Sequence, residues 1–391
     1  MENLIKELLD VYGSPIYIYD ANKLRQTINY ISASVRYDGT QFRFASVTNG
    51  NVALLKIFKD CGWGLHANTP GDVYLGLQAG FSPEKIVYSG SNLNYDEMLM
   101  VLEWGVRTFN LDSVSQLELF CQVYNFWNQK KEVRLGLRLN FAELTGDSRI
   151  GVHPDDFAKA SSIARDAGLK VSGLHFYRGT GTNATTAFTQ AIESVVSVAS
   201  KLPDWEYLDF GGGFGYSYRH GGAAFDWEFF GAELTRCLEK LAIPIELVIE
   251  PGRAAIAGCA ILLAKVVSVK WQSEKQIVGV DTTVANLSVP SVHGGYREII
   301  AYPFSTSSDL YQTDVCGNTT YSRDYLGKNC LLPALNINDI VAILDVGAYG
   351  YAMSSHFLHR LRPAEVLIEN GNHRLIRKRE DYSLLLANQI I

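Results

Sequence analysis

The sequence predicts an α/β protein made of a closed (β/α)8 barrel and an antiparallel β domain, and three observations predict it. The chain has 391 residues, more than the ~250–300 at which a single core stops growing, so two domains are expected. Between residues 24 and 260, short apolar runs alternate with stretches of helical periodicity, and repeated strand-then-helix units imply a parallel sheet. After residue 260 the texture changes to β-branched and aromatic runs bounded by Gly, Asn and Asp, the pattern of an antiparallel sheet.

Taken in order, the opening segment MENLIKELLDVYGSPIYIYD carries acids among its apolar residues. It reads as an amphipathic helix followed by a strand, not as a signal peptide. Candidate barrel strands are Gln41–Ser46, Lys85–Ser89, Thr108–Leu111, Val133–Leu139, Leu169–His175, Tyr207–Phe210 and Ile245–Ile249, with helical windows such as Asn51–Asp60 and Ala187–Leu202 between them. Seven or eight units over ~240 residues fit a closed barrel better than an open sheet, which spacing alone leaves as the alternative. Further strands are expected at Ala260–Trp271, Gln276–Val280, Asp339–Leu344, Glu365–Glu369 and His373–Arg377. The early strand Pro15–Tyr19 stands apart from the barrel pattern and is assigned to the second domain. The expected division is therefore a barrel at 24–260 and a discontinuous β domain at 1–23 and 261–391.

Composition excludes several functions. A hydrophobic content of 47% with 19% charged residues is that of a globular chain, not of a disordered one. A net charge of −6 argues against a nucleic-acid partner, because such proteins concentrate Lys and Arg to displace counterions. No apolar run reaches the ~18 residues of a membrane helix, so no membrane partner and a cytoplasmic location are expected. The six cysteines show no CxxC spacing, which indicates neither a disulfide framework nor a zinc site, and no metal site is expected.

Two segments carry chemistry. Asp209-Phe210-Gly211-Gly212-Gly213-Phe214-Gly215 follows an apolar strand. Consecutive glycines let the backbone approach a ligand with its N–H groups outward, which suits a phosphate, and a tight strand-to-helix turn is the alternative. Glu250-Pro251-Gly252-Arg253 ends the next apolar strand. It places a carboxylate and a guanidinium at the same barrel mouth, with a structural ion pair as the alternative.

With those segments, DVGAYG (Asp345–Gly350), RLRPAEVL (Arg360–Leu367), NVALLK (Asn51–Lys56), SRIG (Ser148–Gly151), GGYREI (Gly294–Ile299) and Arg138, the chain resembles the fold-type III decarboxylases, particularly the diaminopimelate and ornithine decarboxylases. The resemblance runs from about Tyr17 to Leu386. It implies an alanine-racemase-like barrel, a β domain and a head-to-tail homodimer with shared active sites. It also implies pyridoxal 5'-phosphate, with Gly211, Gly212, Gly213, Arg253 and Tyr349 holding the phosphate. Glu250 would face the pyridine nitrogen, where a carboxylate keeps the ring an electron sink, and Arg138 would lie near the ring.

The departures fall on the reactive side. Related sequences read Tyr-Ala-Val-Lys-Ala-Asn where this chain has Phe44-Ala45-Ser46-Val47-Thr48-Asn49, so Val47 replaces the Schiff-base lysine. Lys56 is the nearest lysine downstream, but it falls on the following helix, where relatives also carry one. The aspartate beside the lysine corresponds to His66, and the ring-stacking histidine to Tyr177. The cysteine from the second subunit corresponds to Thr320, and the acid after it to Tyr321. The recognition arginine becomes Val289, and the tyrosine after it His293.

Without the lysine, ordinary decarboxylation is not expected. An atypical enzyme acting on an amino-acid-derived substrate is the leading reading, with His66, Tyr177, Arg178, His293 and Tyr321 as candidate acid, base or orienting groups and the cofactor held noncovalently. The alternatives are a non-catalytic carrier or partner subunit, a pocket turned to haem or a metal, and a lysine arriving from elsewhere. Four of these candidates also have a plain reading. His66 fills space and hydrogen-bonds a neighbour, Arg178 pairs with an acid, His293 is a surface residue, and Tyr321 is a packing residue.

Overall fold

The computed structural model describes residues 2–129, 131–179, 181, 183–302 and 309–390. The chain divides into two compact units. One comprises the chain up to Leu24, Tyr218–Gly222 and the chain from Ile256 on; the other comprises Arg25–Ser217 and Ala223–Ala255.

The first strand, β1 (Ile16–Asp20), belongs to the former unit. Then come β2 (Thr40–Ala45), β3 (Gly64–Ala67), β4 (Ile86–Tyr88), β5 (Thr108–Leu111), β6 (Arg134–Arg138), β7 (Val171–His175), β8 (Tyr207–Asp209) and β9 (Glu246–Ile249). These eight close into a parallel barrel, β9 pairing back onto β2 with Phe42 opposite Ile249. Tyr207 fills the barrel interior: a Cβ on Gly173 or Gly136 would collide with its ring, so the glycines of β6 and β7 make room for it. Its hydroxyl donates to Asn110 Oδ1 at 2.9 Å. Several of the helices outside start on side-chain caps. Asn51, Thr69, Asn94 and Ser113 each accept from the first turn of the helix they precede, which satisfies donors a helix start leaves unpaired.

The other unit is built on a nine-stranded sheet. Its remaining strands are β10 (Ala260–Gln272), β11 (Lys275–Val280), β12 (Ile299–Tyr302), β13 (Tyr311–Cys316), β14 (Tyr325–Leu332), β15 (Ile340–Ile343), β16 (Ala364–Glu369) and β17 (Asn372–Arg377). The 13-residue β10 is the spine. Its first half pairs with β1 and β15, and its second half, past a bulge at Val266/Ser268, with β11. As expected, β1 joins this sheet. The sheet is mostly antiparallel, but β1–β16 and β11–β13 run parallel; β1 comes from the far end of the chain, and β13 returns beside β11 after a long excursion, so neither pair is a hairpin. The apolar face of the opening helix packs through Ile5 and Leu8 against Ile16, Leu263, Ala342 and Val366.

Candidate functional site at the mouth of the barrel

Chemistry in a (β/α)8 barrel collects where strands end, and here the strand ends place titratable groups side by side. Arg138 closes β6 opposite His175 of β7, and His175 lies opposite Asp209, the last residue of β8. His66 sits in β3 opposite Ala45, and Glu250 directly follows β9. His66, His175, Asp209 and Glu250 are all buried, with relative exposures of 7%, 1%, 0% and 2%. Both imidazoles approach one carboxylate oxygen: His66 Nε2 is 3.5 Å and His175 Nε2 3.3 Å from Glu250 Oε2. Donor atoms of His175, Asp209 and Glu250 lie within 4.8 Å of one another.

Burial sets the protonation of this cluster, because desolvation disfavours charged forms. It holds His66 well below the ordinary imidazole value, helped by the neighbouring His175, Arg138 and Arg43, and it brings His175 down to about 4. Both rings are neutral at pH 7, so their contacts with Glu250 are not ion pairs. Burial pushes Glu250 up to about 7, a rise that its bond to Asp209 and the charges of Arg138 and Arg43 restrain. Asp209 is raised well above the carboxylate range, by burial and then by Glu250. Of the two coupled carboxyls Asp209 is raised the further, so it holds its proton more tightly than Glu250. Asp209 Oδ2 also accepts from Asn110 Nδ2 at 2.8 Å, and Oδ1 from the Gly211 amide at 3.0 Å.

The glycine-rich turn starts at that amide. Gly211 and Gly213 have φ of +65° and +96°, left-handed values that favour glycine. A Cβ on Gly211 would strike the Phe176 carbonyl, and one on Gly213 the Gly179 carbonyl beside the Tyr177 ring. The Arg138 guanidinium lies 5.0 Å from the centre of that ring. Arg253 stands next to Gly181, whose Cβ would fall 3.0 Å from its Nε. The barrel thus brings together His66, Arg138, Tyr177, the glycine turn, Glu250 and Arg253, with the half-buried Arg178 on the Tyr177 loop.

Three expected site residues lie in the other unit. His293 is exposed at the end of the short helix Val289–Val292. Tyr321 packs edge-on against Phe357 with ring centres 5.4 Å apart. Tyr349 occupies the turn after Asp345 with φ of +58°. Sequence reasoning missed His175 and Asp209 as members of the cluster. The available signals were a histidine two residues before Tyr177 and an acid immediately before the glycine run.

On the reactive side, Val47 lies in the three-residue turn Ser46–Thr48 that ends β2. Ser46 Oγ donates to the His66 carbonyl at 3.0 Å and to Asp72 Oδ1 at 2.9 Å, and Thr48 Oγ1 donates to the Ala45 carbonyl at 2.8 Å. These bonds pin both flanks and leave the Val47 side chain 44% exposed. Lys56 is exposed on a helix that buries Leu54, Leu55, Ile57 and Phe58 instead. Among the described residues, no lysine is buried.

A phosphorylated pyridine fits the anchoring half of this site. Glu250 Oε1 is buried without a hydrogen-bond partner, a costly state for a polar atom unless a ligand satisfies it, and the glycine turn packs so closely against the carbonyls of Phe176, Glu250 and Gly179 that only glycine fits there. Residues 23–257 match the family model for the pyridoxal-dependent decarboxylase, pyridoxal binding domain. The chain belongs to the pyridoxal-dependent decarboxylase family, and pyridoxal 5'-phosphate is the cofactor of the matched domain. Over 98% of its length it is 31% identical to the diaminopimelate decarboxylase of Methanothermobacter thermautotrophicus, covering 93% of that protein, and 28% identical to that of Aquifex aeolicus, again covering 93%. In structure it superposes on an Aquifex aeolicus protein with a TM-score of 0.90 at 28% identity, covering 99% of this chain and 94% of that one. It matches the Helicobacter pylori diaminopimelate decarboxylase complexed with L-lysine at 0.90, with 98% of each chain covered; at 24% identity this likeness is one of fold. No described helix is long and apolar enough to cross a membrane.

Proposed function

We propose that this protein holds pyridoxal 5'-phosphate noncovalently and acts on an amino-acid-derived substrate by a route other than ordinary lysine-tethered decarboxylation. The observation that carries this reading is the pairing of an intact anchor with a missing tether: Glu250 presents a buried, unpartnered oxygen, while Val47 occupies the turn where relatives carry lysine. The turn Gly211–Gly213, with Arg253 and Tyr349, would hold the phosphate, through the amides of Gly212 and Gly213, since that of Gly211 already donates to Asp209. Glu250 would meet the ring nitrogen, Tyr177 would cover a ring face, and Arg138 would stand beside it. When bound, the cofactor supplies an electron sink.

The chain's own groups divide the remaining work. His66, neutral and with its Nε2 3.5 Å from Glu250 Oε2, is a candidate acid, base or orienting group beside that carboxyl. Tyr177 and Arg178, on a half-buried loop, are the barrel's candidates for orienting substrate or moving a proton, and His293 and Tyr321 are those of the β domain. A head-to-tail homodimer, which family membership supports, is checked by light scattering. Carriage without turnover is the second reading, and it rests on the lack of a buried lysine among the described residues.

The test begins with absorbance and equilibrium dialysis of the purified chain with pyridoxal phosphate. Saturable binding that Arg253→Ala loses, with no lysine adduct after borohydride reduction and mass analysis, supports the reading. A reduced lysine adduct in the unmodified protein would overturn it. Product formation from a panel of amino acids, abolished by Tyr177→Phe or Arg178→Gln with cofactor binding kept, separates catalysis from carriage.

A further inference from the structure

Asn110, on β5, is only 1% exposed. A side-chain amide offers two N–H donors and a carbonyl acceptor, and here all of them are engaged inside the barrel. Nδ2 donates to Ser89 Oγ at 3.1 Å and to Asp209 Oδ2 at 2.8 Å, while Oδ1 accepts from Tyr207 Oη at 2.9 Å. The phenol sets which way round the amide sits. Burial pushes it above its ordinary value, so it keeps its proton, and by donating to Oδ1 it leaves Nδ2 to face Asp209. The barrel is shaped around that bond: a Cβ on Gly136 would strike both of its atoms, and one on Gly173 the Tyr207 ring.

Asp209 is in turn held at both oxygens, Oδ2 by Asn110 and Oδ1 by the Gly211 amide at 3.0 Å. Donors on the two oxygens fix the plane of a carboxyl. They therefore fix the edge that Asp209 presents to Glu250, its hydrogen-bond partner. The imidazoles of His66 and His175 stand close to Glu250 but make no hydrogen bond to it, so the orientation of that carboxyl comes through Asp209. Members of a buried network polarise one another, and a change at the phenol is felt at Glu250.

We propose that Asn110, set by Tyr207, is a positioning residue that acts through Asp209 to aim Glu250 at the pyridine nitrogen of the cofactor. The target of that aim rests on the cofactor reading above. The relay Tyr207–Asn110–Asp209–Glu250 itself joins β5, β8 and the end of β9 and stands without it.

The test compares pyridoxal 5'-phosphate with its 1-deaza analogue, in which carbon replaces the ring nitrogen, by equilibrium dialysis against the full-length protein and three variants. The parent's preference for the natural ring measures the contact between that nitrogen and Glu250. Asn110→Asp keeps the shape of the side chain but turns an oxygen toward Asp209. It should cut the preference by on the order of ten-fold, the worth of a charge-assisted hydrogen bond, with affinity for the analogue unchanged. Tyr207→Phe removes only the hydroxyl and should cut the preference in the same direction by less; it decides the matter should Asn110→Asp misfold. Tyr37→Phe is the control, a buried tyrosine whose hydroxyl donates to the Ile245 carbonyl at 2.9 Å, outside the relay. It should keep the parent's preference whatever stability it loses.

A second measurement needs no cofactor. In denaturant titrations the costs of Tyr207→Phe and Glu250→Gln should be non-additive, and those of Tyr37→Phe and Glu250→Gln additive, as for pairs inside and outside one network. An undiminished preference in the relay variants, equal weakening of both ligands, or additivity of the first pair overturns the proposal. Failure of the parent to bind pyridoxal phosphate overturns the cofactor reading instead, and additivity or its absence then decides the relay alone.

Discussion

The Nε2 atoms of His66 and His175 converge on one oxygen of Glu250, at 3.5 and 3.3 Å. At a position that the resemblance aligns with an aspartate, this chain places a neutral ring against a carboxyl coupled to Asp209. Returning an acid there should be unfavourable, because a third carboxyl would enter a buried pair. The His66→Asp variant is expected to unfold at lower temperature than the parent at pH 8, with a gap that narrows as pH falls toward 5 and the added carboxyl protonates. Thermal melts across that range decide it; a gap independent of pH would mean that packing, not charge, is what His66 supplies.

Glu250 makes a pH prediction whose sign follows from linkage. Its folded value of about 7 lies above the ~4.3 of a free glutamate, so the folded state holds the proton more tightly. Its contribution to stability is complete below pH ~4.3 and is lost as pH rises through 7. His175, brought down to about 4, acts oppositely: its contribution is present above pH ~6.5 and lost as pH falls through 4. The parent profile therefore mixes both arms, with Asp209, His66, Arg138 and Arg43 also acting on the carboxyl. Glu250→Gln isolates one. The stability of that variant minus that of the parent should climb between pH 4.5 and 7 by about 3 kcal/mol, at ~1.4 kcal/mol per pK unit, in cofactor-free denaturant titrations. A flat difference would place the raised carboxyl elsewhere.

The barrel was legible in the sequence because each strand-and-helix unit repeats one local pattern. β3 escaped notice: Gly-Leu-His-Ala is short and has no β-branched residue. In the β domain, β12, β13 and β14 were missed. β14 exposes Lys328, Asn329 and Leu331 along its length, so it lacks a clean alternation, and the parallel register of β13 on β11 is set by distant chain segments. The site divides the same way. The glycine turn, Glu250 and Arg253 are contiguous motifs at strand ends and could be read directly. The cluster of His66, His175, Asp209 and Glu250 exists only once barrel closure brings four strand ends together.

Val47 gives a gain-of-function prediction. Its side chain is 44% exposed in a turn pinned by Ser46 and Thr48, so a longer side chain enters without displacing core. Val47→Lys is expected to fold with a melting temperature within a few degrees of the parent, as exposed substitutions generally do. With pyridoxal phosphate it should yield a borohydride-reduced lysine adduct that maps to residue 47 by peptide mass analysis. Absence of the adduct, with cofactor bound, would show that the turn does not correspond to the family's lysine position.

Gly211 tests whether the conformation of the glycine turn matters to cofactor binding. Its φ of +65° costs an L-residue roughly 1–2 kcal/mol, and a Cβ there would strike the Phe176 carbonyl, backbone that cannot swing aside. Its amide donates to Asp209, so any shift of the turn also disturbs the acid coupled to Glu250. Gly211→Ala should lose more than ~2 kcal/mol of stability and bind pyridoxal phosphate at least ten-fold more weakly at a temperature where it remains folded. Gly62→Ala is the control: its φ is +86° with nothing within 4 Å of the added carbon, at the turn preceding β3. It should show the backbone cost alone, with cofactor affinity unchanged, and equal loss of affinity in both variants would reduce the Gly211 effect to general destabilisation.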